Sequence, residues 1–141
     1  VSATNVLHLY WQSNGRLNAA VPINRVYTGL SPIYDSTQTA ITPPYVSMLV
    51  ESEEDATRTS GGHEIFRQQI KLTIWHTDYD AAVALDSLVR NQLNRQSFSF
   101  DIGNILDIKP GTRADEQDKD TLIWKIARTY GVLVDLIPQA V

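Results

Sequence analysis

Residues 61–76 read GGHEIFRQQIKLTIWH, and the period of this stretch decides the fold. On a helix, His63 and Glu64 would open the zinc-protease pattern H-E-x-x-H, in which both imidazoles share one face. The position of the second histidine holds Arg67, which is no zinc ligand. The apolar residues Phe66, Ile70, Leu72 and Ile74 are opposed by Arg67, Gln69, Lys71 and Thr73, which is a period of two. On a strand, residues 63 and 67 would stand about 13 Å apart. The stretch therefore reads as a half-buried strand entered through a glycine turn at Gly61 and Gly62, and no metal site is expected.

The neighbouring segments extend this pattern. Upstream, PYVSMLVES (44–52) alternates through Val46, Met48 and Val50, and the polar ESEEDATRTSGG (51–62) separates it from the next strand, so the two predict a long hairpin. Downstream, TDYDAAVALDSLVRNQLNR (77–95) changes period. Ala81, Leu85, Leu88, Val89 and Leu93 fall on one helical face, and Thr77 with Asp80 has capping-box spacing.

Beyond the helix, QSFSFDIGN (96–104) alternates through Phe98, Phe100 and Ile102. TLIWKIARTYGVLV (121–134) places Leu122, Trp124, Ile126, Tyr130, Val132 and Val134 on one face, interrupted by Arg128. Between them, DIKPGTRADEQDKD (107–120) has a Pro-Gly turn signal and a dense charge run, and reads as an exposed loop. At the start, SATNVLHLYWQS (2–13) offers Ser2 and Thr4 as caps and gathers Val6, Leu7, Leu9 and Tyr10 on a short helix. The proline-rich stretch 21–44 reads as loop with a brief extended piece at 25–27. The predicted order is α, β, β, α, β, β: an α+β fold with a mostly antiparallel four-stranded sheet, helices on one face, and one domain over 1–141.

Composition narrows the function classes. The chain has 141 residues, a formal charge of −4, 43% hydrophobic and 20% charged residues and no cysteine. That balance is globular. The absence of cysteine excludes disulfides, thiolate metal sites and cysteine nucleophiles, and is compatible with a reducing cytoplasm. The acidic balance disfavours tight binding to a phosphate backbone. No window has the length and apolarity of a membrane span, and the N-terminal stretch lacks signal-peptide features, so a soluble protein with no membrane partner is expected.

Candidate chemistry is sparse. His8, His63 and His76 are the only histidines, and no local signature of a nucleophile accompanies them. DEQDKD (115–120) lacks the glycine and terminal glutamate of a calcium loop. Gly61-Gly62 fits neither phosphate-binding glycine pattern. The carboxylate pairs Glu53 with Glu54, and Asp78 with Asp80, sit in a hairpin tip and a helix cap rather than in a rigid site. No catalytic residue and no cofactor is expected, which favours an interaction protein over an enzyme.

RVYTGLSP (25–32), TPPYVSMLVESEEDATRTSGGHEIFRQQIKLTIW (42–75) and DAAVALDSLVRNQLN (80–94), in that order, resemble the tail terminator or tail-completion proteins of long-tailed bacteriophages and related prophages. The resemblance runs from Arg25 to Leu93, with residues 121–134 in the place of the closing strand, while 31–44 and 107–120 are longer than the family pattern. It implies a virion protein, assembled in the host cytoplasm, that forms a homo-hexameric ring at the tail or neck. Such a ring caps the tube, ends polymerisation of the major tail tube protein and meets a head-completion or neck protein. DNA passes through its lumen without specific binding, which suits an acidic chain. A neck connector or tube-baseplate adaptor is the alternative within the same particle; a small α+β hydrolase or ligand-binding domain is the alternative from another class. The tip 51–62 and the loop 107–120 are expected to make the ring or tube contacts, and the interface residues expected are Glu53, Glu54, Asp55, Arg58, Arg67, Arg113 and Arg128. A solvated or locally paired arginine is the competing reading for Arg58, Arg67 and Arg128.

Overall fold

A computed structural model describes residues 3–29, 42–58 and 64–136, with the backbone alone at 55–58, 64 and 136. In chain order the elements are α1 (Ala3–Ser13), α2 (Gly15–Ala20), a 3-10 turn (Ile23–Arg25), β1 (Val26–Thr28), β2 (Tyr45–Arg58) and β3 (Glu64–His76). Then follow α3 (Tyr79–Leu93), β4 (Phe98–Phe100), β5 (Gly103–Gln117) and β6 (Trp124–Leu136). The strands form one sheet in the order β1-β2-β3-β6-β5-β4. The β1–β2 pairing is parallel and the others are antiparallel.

This overturns the expected α+β fold with a four-stranded, mostly antiparallel sheet. The molecule is mostly sheet: one six-stranded mixed sheet, curled into a half-barrel, with three helices. The two extra strands are β1, three residues long and expected only as a brief extended piece, and β5, most of which is expected as a loop; the strand expected over 96–104 is the short β4 and the start of β5. The long strands were also underestimated. Residues 51–58 continue β2 against β3, and 107–117 continue β5 against β6, where loops are expected from their polarity. Strand halves with little apolar content look like loops in sequence, yet pairing on a neighbouring strand satisfies their backbone groups. Residues 59–63, which include Gly61, Gly62 and His63, lie outside the described residues, as do 30–41.

Register shifts curl the sheet. β2 is irregular between Val50 and Ser52 and between Asp55 and Thr57, and β5 between Ile105 and Asp107 and between Pro110 and Arg113. Such bulges bend a strand and raise its twist. Pro110, which has no N–H to donate, falls at one of them. A Cβ on the adjacent Gly111 would lie 2.8 Å from the Thr129 carbonyl oxygen, so the two backbones approach more closely than a side chain allows.

One face of the sheet holds the core. Val46, Met48, Ile70, Leu72, Ile74, Ile126, Tyr130, Val132 and Val134 meet Ala3, Val6, Leu7 and Trp11 of α1 and Ala82, Val89 and Leu93 of α3. Trp11 donates its indole N–H to the Val21 carbonyl at 2.8 Å, tying α1 to the chain beyond α2. The N-cap of α2 is Asn14, whose Oδ1 accepts from the N–H of Arg16 and Leu17 at 3.0 and 3.1 Å. The capping box expected at Thr77 and Asp80 does not form. Asp78 is the N-cap without a side-chain bond, and its N–H donates to His76 Nδ1 at 3.0 Å.

Candidate interaction surfaces

The face of α3 that enters the core is Ala82, Asp86, Val89 and Leu93, one position round from the apolar face expected from its leucines. This brings a carboxylate under the sheet, and Arg128 answers it. Arg128 stands on the core face of β6, where Leu72 and Arg113 are its neighbours across the strands. Its Nε and Nη2 donate to Asp86 Oδ1 and Oδ2 at 3.1 and 2.8 Å, and Nη1 donates to the Gly111 carbonyl at 2.9 Å. The Asp86 side chain is 2% exposed and that of Arg128 is 14% exposed. The fork geometry of guanidinium on carboxylate suits a partly desolvated pair.

The pair continues outward. Arg113 Nη1 lies 3.8 Å from Asp86 Oδ2, and its Nε and Nη2 reach Asp115 Oδ1 and Oδ2 at 3.0 and 3.1 Å. Asp115 Oδ2 also accepts the Tyr79 hydroxyl at 2.7 Å. The hydrogen bond from Arg128 to Asp86 raises the Arg128 pKa, and the bond to Asp115 raises that of Tyr79. Burial, then the Asp86 charge, pushes the Tyr130 phenol well above its ordinary value. The network therefore fixes the far half of the β5–β6 hairpin on the first turns of α3.

The opposite face of the sheet is a trough of about 630 Å³. Ser47, Thr73, Ala127 and Thr129 lie along it; Glu51, Lys71, Glu116 and Lys125 bring two charges of each sign. Gly29 beyond β1 and Thr112 on β5 line the same trough, which shows how far the sheet curls. Trp75 anchors one end: it donates to Ser47 Oγ at 3.3 Å, stacks on Tyr45 with centroids 5.4 Å apart, and has Lys125 Nζ 4.9 Å from its ring. A second, smaller groove of about 280 Å³ runs beside α3, lined by Ala20, Pro44, His76, Ala81, Ala84, Leu85 and Leu88. Leu85 and Leu88, expected in the core, are only partly buried there.

The sequence-predicted contact residues fall into separate places. Glu53, Glu54 and Arg67 are exposed, and register sets Glu54 directly opposite Arg67. Glu53 Oε1 accepts from Gln68 Nε2 at 2.6 Å, and Gln68 Oε1 accepts the Ala3 N–H at 3.0 Å. Arg113 and Arg128 come together around Asp86, while the side chains of Asp55 and Arg58 lie outside the described residues. His8 Nε2 is 3.1 Å from the Val26 carbonyl oxygen, and His76 serves the α3 cap. Among the described residues no three His, Asp or Glu side chains gather as a metal site, and no helix is long and apolar enough to cross a membrane. Sequence reasoning missed Asp86, Asp115 and Tyr79. The signal for them was Arg128 itself, a cation on an otherwise apolar strand face that required a buried partner.

The chain thus falls in the class of strongly curled mixed sheets, helix-backed on one face and open on the other. No family model matches the sequence, and no curated protein matches it. Among solved structures, a chain of the virion of a native gene transfer agent (GTA) particle has the same fold. The TM-score is 0.63 at 18% identity, covering 90% of this chain and 91% of that one.

Proposed function

We propose that the protein is a structural component of a phage-like particle, and that within it the chain forms a homo-hexameric ring closing the tail tube at the neck. The observation that carries the reading is the fold shared with a virion chain over nine-tenths of both molecules. The order of segments from Arg25 to Leu93 supports the tail-terminator assignment within that class. Exposed Glu53, Glu54 and Arg67 on the β2–β3 hairpin are the side chains best placed for contacts with the tube protein or a neighbouring subunit. Asp55 and Arg58 belong to the same strand. Arg113 and Arg128 serve assembly by holding the β5–β6 hairpin in place rather than by reaching a partner.

The test is imaging of particles assembled with an epitope-tagged copy of the chain. Label confined to the head-proximal end of the tube, one ring per particle, is the expected result. Label at the portal or baseplate would instead identify a connector or adaptor. Particles that form normally without the chain and never carry the label would overturn the reading.

A further inference from the structure

The turn between β5 and β6 carries a residue that folding alone does not favour. Leu122 has φ of 61°, the left-handed region that glycine and asparagine adopt at least cost, and it is 60% exposed. The turn is nevertheless firmly built. Asp118 Oδ1 accepts from the N–H of Asp120 and Thr121 at 2.8 and 3.0 Å, which holds its carboxyl below the usual carboxylate range. The Leu122 N–H donates to the Asp118 carbonyl at 2.8 Å, the Asp118 N–H to the Ile123 carbonyl at 3.0 Å, and Gln117 Nε2 to the Leu122 carbonyl at 3.1 Å. A strained, hydrogen-bonded turn thus presents an apolar side chain to solvent.

The same chain carries an apolar groove that nothing in the described residues fills: the one beside α3, lined by Pro44, Ala81, Ala84, Leu85 and Leu88. Turn and groove lie at one end of the sheet, because Trp124, next after the turn, pairs with His76, which lines the groove. They flank α3 on opposite sides: Tyr79 packs on Trp124 with centroids 4.5 Å apart, while the groove faces Ala20 of α2. A lateral offset of this kind prevents the turn of one copy from filling its own groove, and suits a head-to-tail contact between copies, which closes into a ring when the rotation permits. The turn is acidic, with Glu116, Asp118 and Asp120 against Lys119; at the groove, Arg25 donates to the Pro44 carbonyl at 2.9 Å on one rim while Asp78 and Asp80 precede Ala81 on the other, so the contact is carried by apolar burial.

We propose that Leu122 of one copy inserts into the α3 groove of a second copy, making the repeating contact of the ring. This rests on the ring reading above. The test is sedimentation of the full chain over a concentration series, with Leu122→Gly to empty the turn and Ala84→Arg to block the groove. Both positions are exposed, and glycine suits the left-handed backbone, so both variants should melt no lower than the parent. Each alone should self-associate about ten- to hundredfold more weakly, the worth of burying one leucine. Mixed together they should form a one-to-one dimer, since one supplies an intact groove and the other an intact turn. Unchanged association of Leu122→Gly, or no dimer in the mixture, would overturn the contact while leaving a ring built another way. A parent chain monomeric to about 1 mM would also overturn it; particle imaging decides the virion reading separately.

Discussion

Replacing Asp86 by leucine should destabilise the protein far more than a helix-surface change does, and replacing Arg128 by methionine as well should recover most of the loss. In the single variant Asp86→Leu, Arg128 keeps the Gly111 carbonyl at 2.9 Å but loses both carboxylate bonds, with its side chain only 14% exposed. Removing one partner of a buried pair costs about 3–5 kcal/mol. Arg128 can turn partly toward water, so about 3 kcal/mol is expected for Asp86→Leu. Arg128→Met strands a more deeply buried charge, whose nearest remaining cation is Arg113 at 3.8 Å, itself bound to Asp115. About 4 kcal/mol is expected there. The double variant replaces the pair by apolar side chains of similar bulk, which is often neutral or stabilising, so it should fall within about 1 kcal/mol of the parent. Urea unfolding followed by fluorescence of Trp11, Trp75 and Trp124 measures all three, with an unchanged m-value as the check on two-state behaviour. The coupling should persist in high salt, unlike that of the exposed Arg95–Asp107 pair at 2.7 Å. Single variants that each cost under about 1 kcal/mol, with costs that simply add, would refute the claim that this pair fixes the β5–β6 hairpin on α3.

Three other perturbations read separate parts of the structure. The Tyr130 hydroxyl is buried without a hydrogen-bond partner among the described residues, so Tyr130→Phe should leave stability unchanged or raise it by about 1 kcal/mol in urea melts. Because burial raises the Tyr130 pKa, the unfolded chain releases that proton first, and the parent should lose stability as pH rises above about 10; the phenylalanine variant should lack that part of the slope. Gly111→Ala puts a Cβ 2.8 Å from the Thr129 carbonyl oxygen and should cost about 1–3 kcal/mol by thermal unfolding. Asn14→Ala removes the α2 cap and the amide bonds to Tyr10 Oη and Gln92 Oε1 at 3.2 and 3.1 Å, and should cost about 1–2 kcal/mol.

The sequence made β3 and the helix after it legible because both repeat an apolar period over more than ten residues. It misplaced the face of α3, since a periodicity count scores Leu85 and Leu88 as inward and Asp86 as outward. Only the knowledge that Arg128 lies across from α3, 42 residues away in sequence, reverses that. Arg128 was visible as an anomaly without a partner; the partner could not be found without the register of β6. The outer halves of β2 and β5 were read as loops for a related reason. Residues 51–54 and 111–117 are exposed, so burial wrote no apolar pattern into them, while the backbone ladder that orders them leaves little trace in composition.

In the ring proposed above, the distribution of charge decides which surfaces suit a DNA-filled lumen. The trough is balanced, with Glu51 and Glu116 against Lys71 and Lys125, so it does not carry the acidic excess. At the strand ends, Glu53 and Glu54 stand on β2 with Arg67 opposite Glu54, and Asp118 and Asp120 flank Lys119 in the turn after β5. A polyanion slides past a surface only if that surface is net negative and offers no row of cations to hold phosphates. The trough, which carries Lys71 and Lys125 beside Glu51 and Glu116, does not meet that condition. With its small hydroxylated floor and the Trp75 cluster at one end, it is therefore no acidic lining for such a passage.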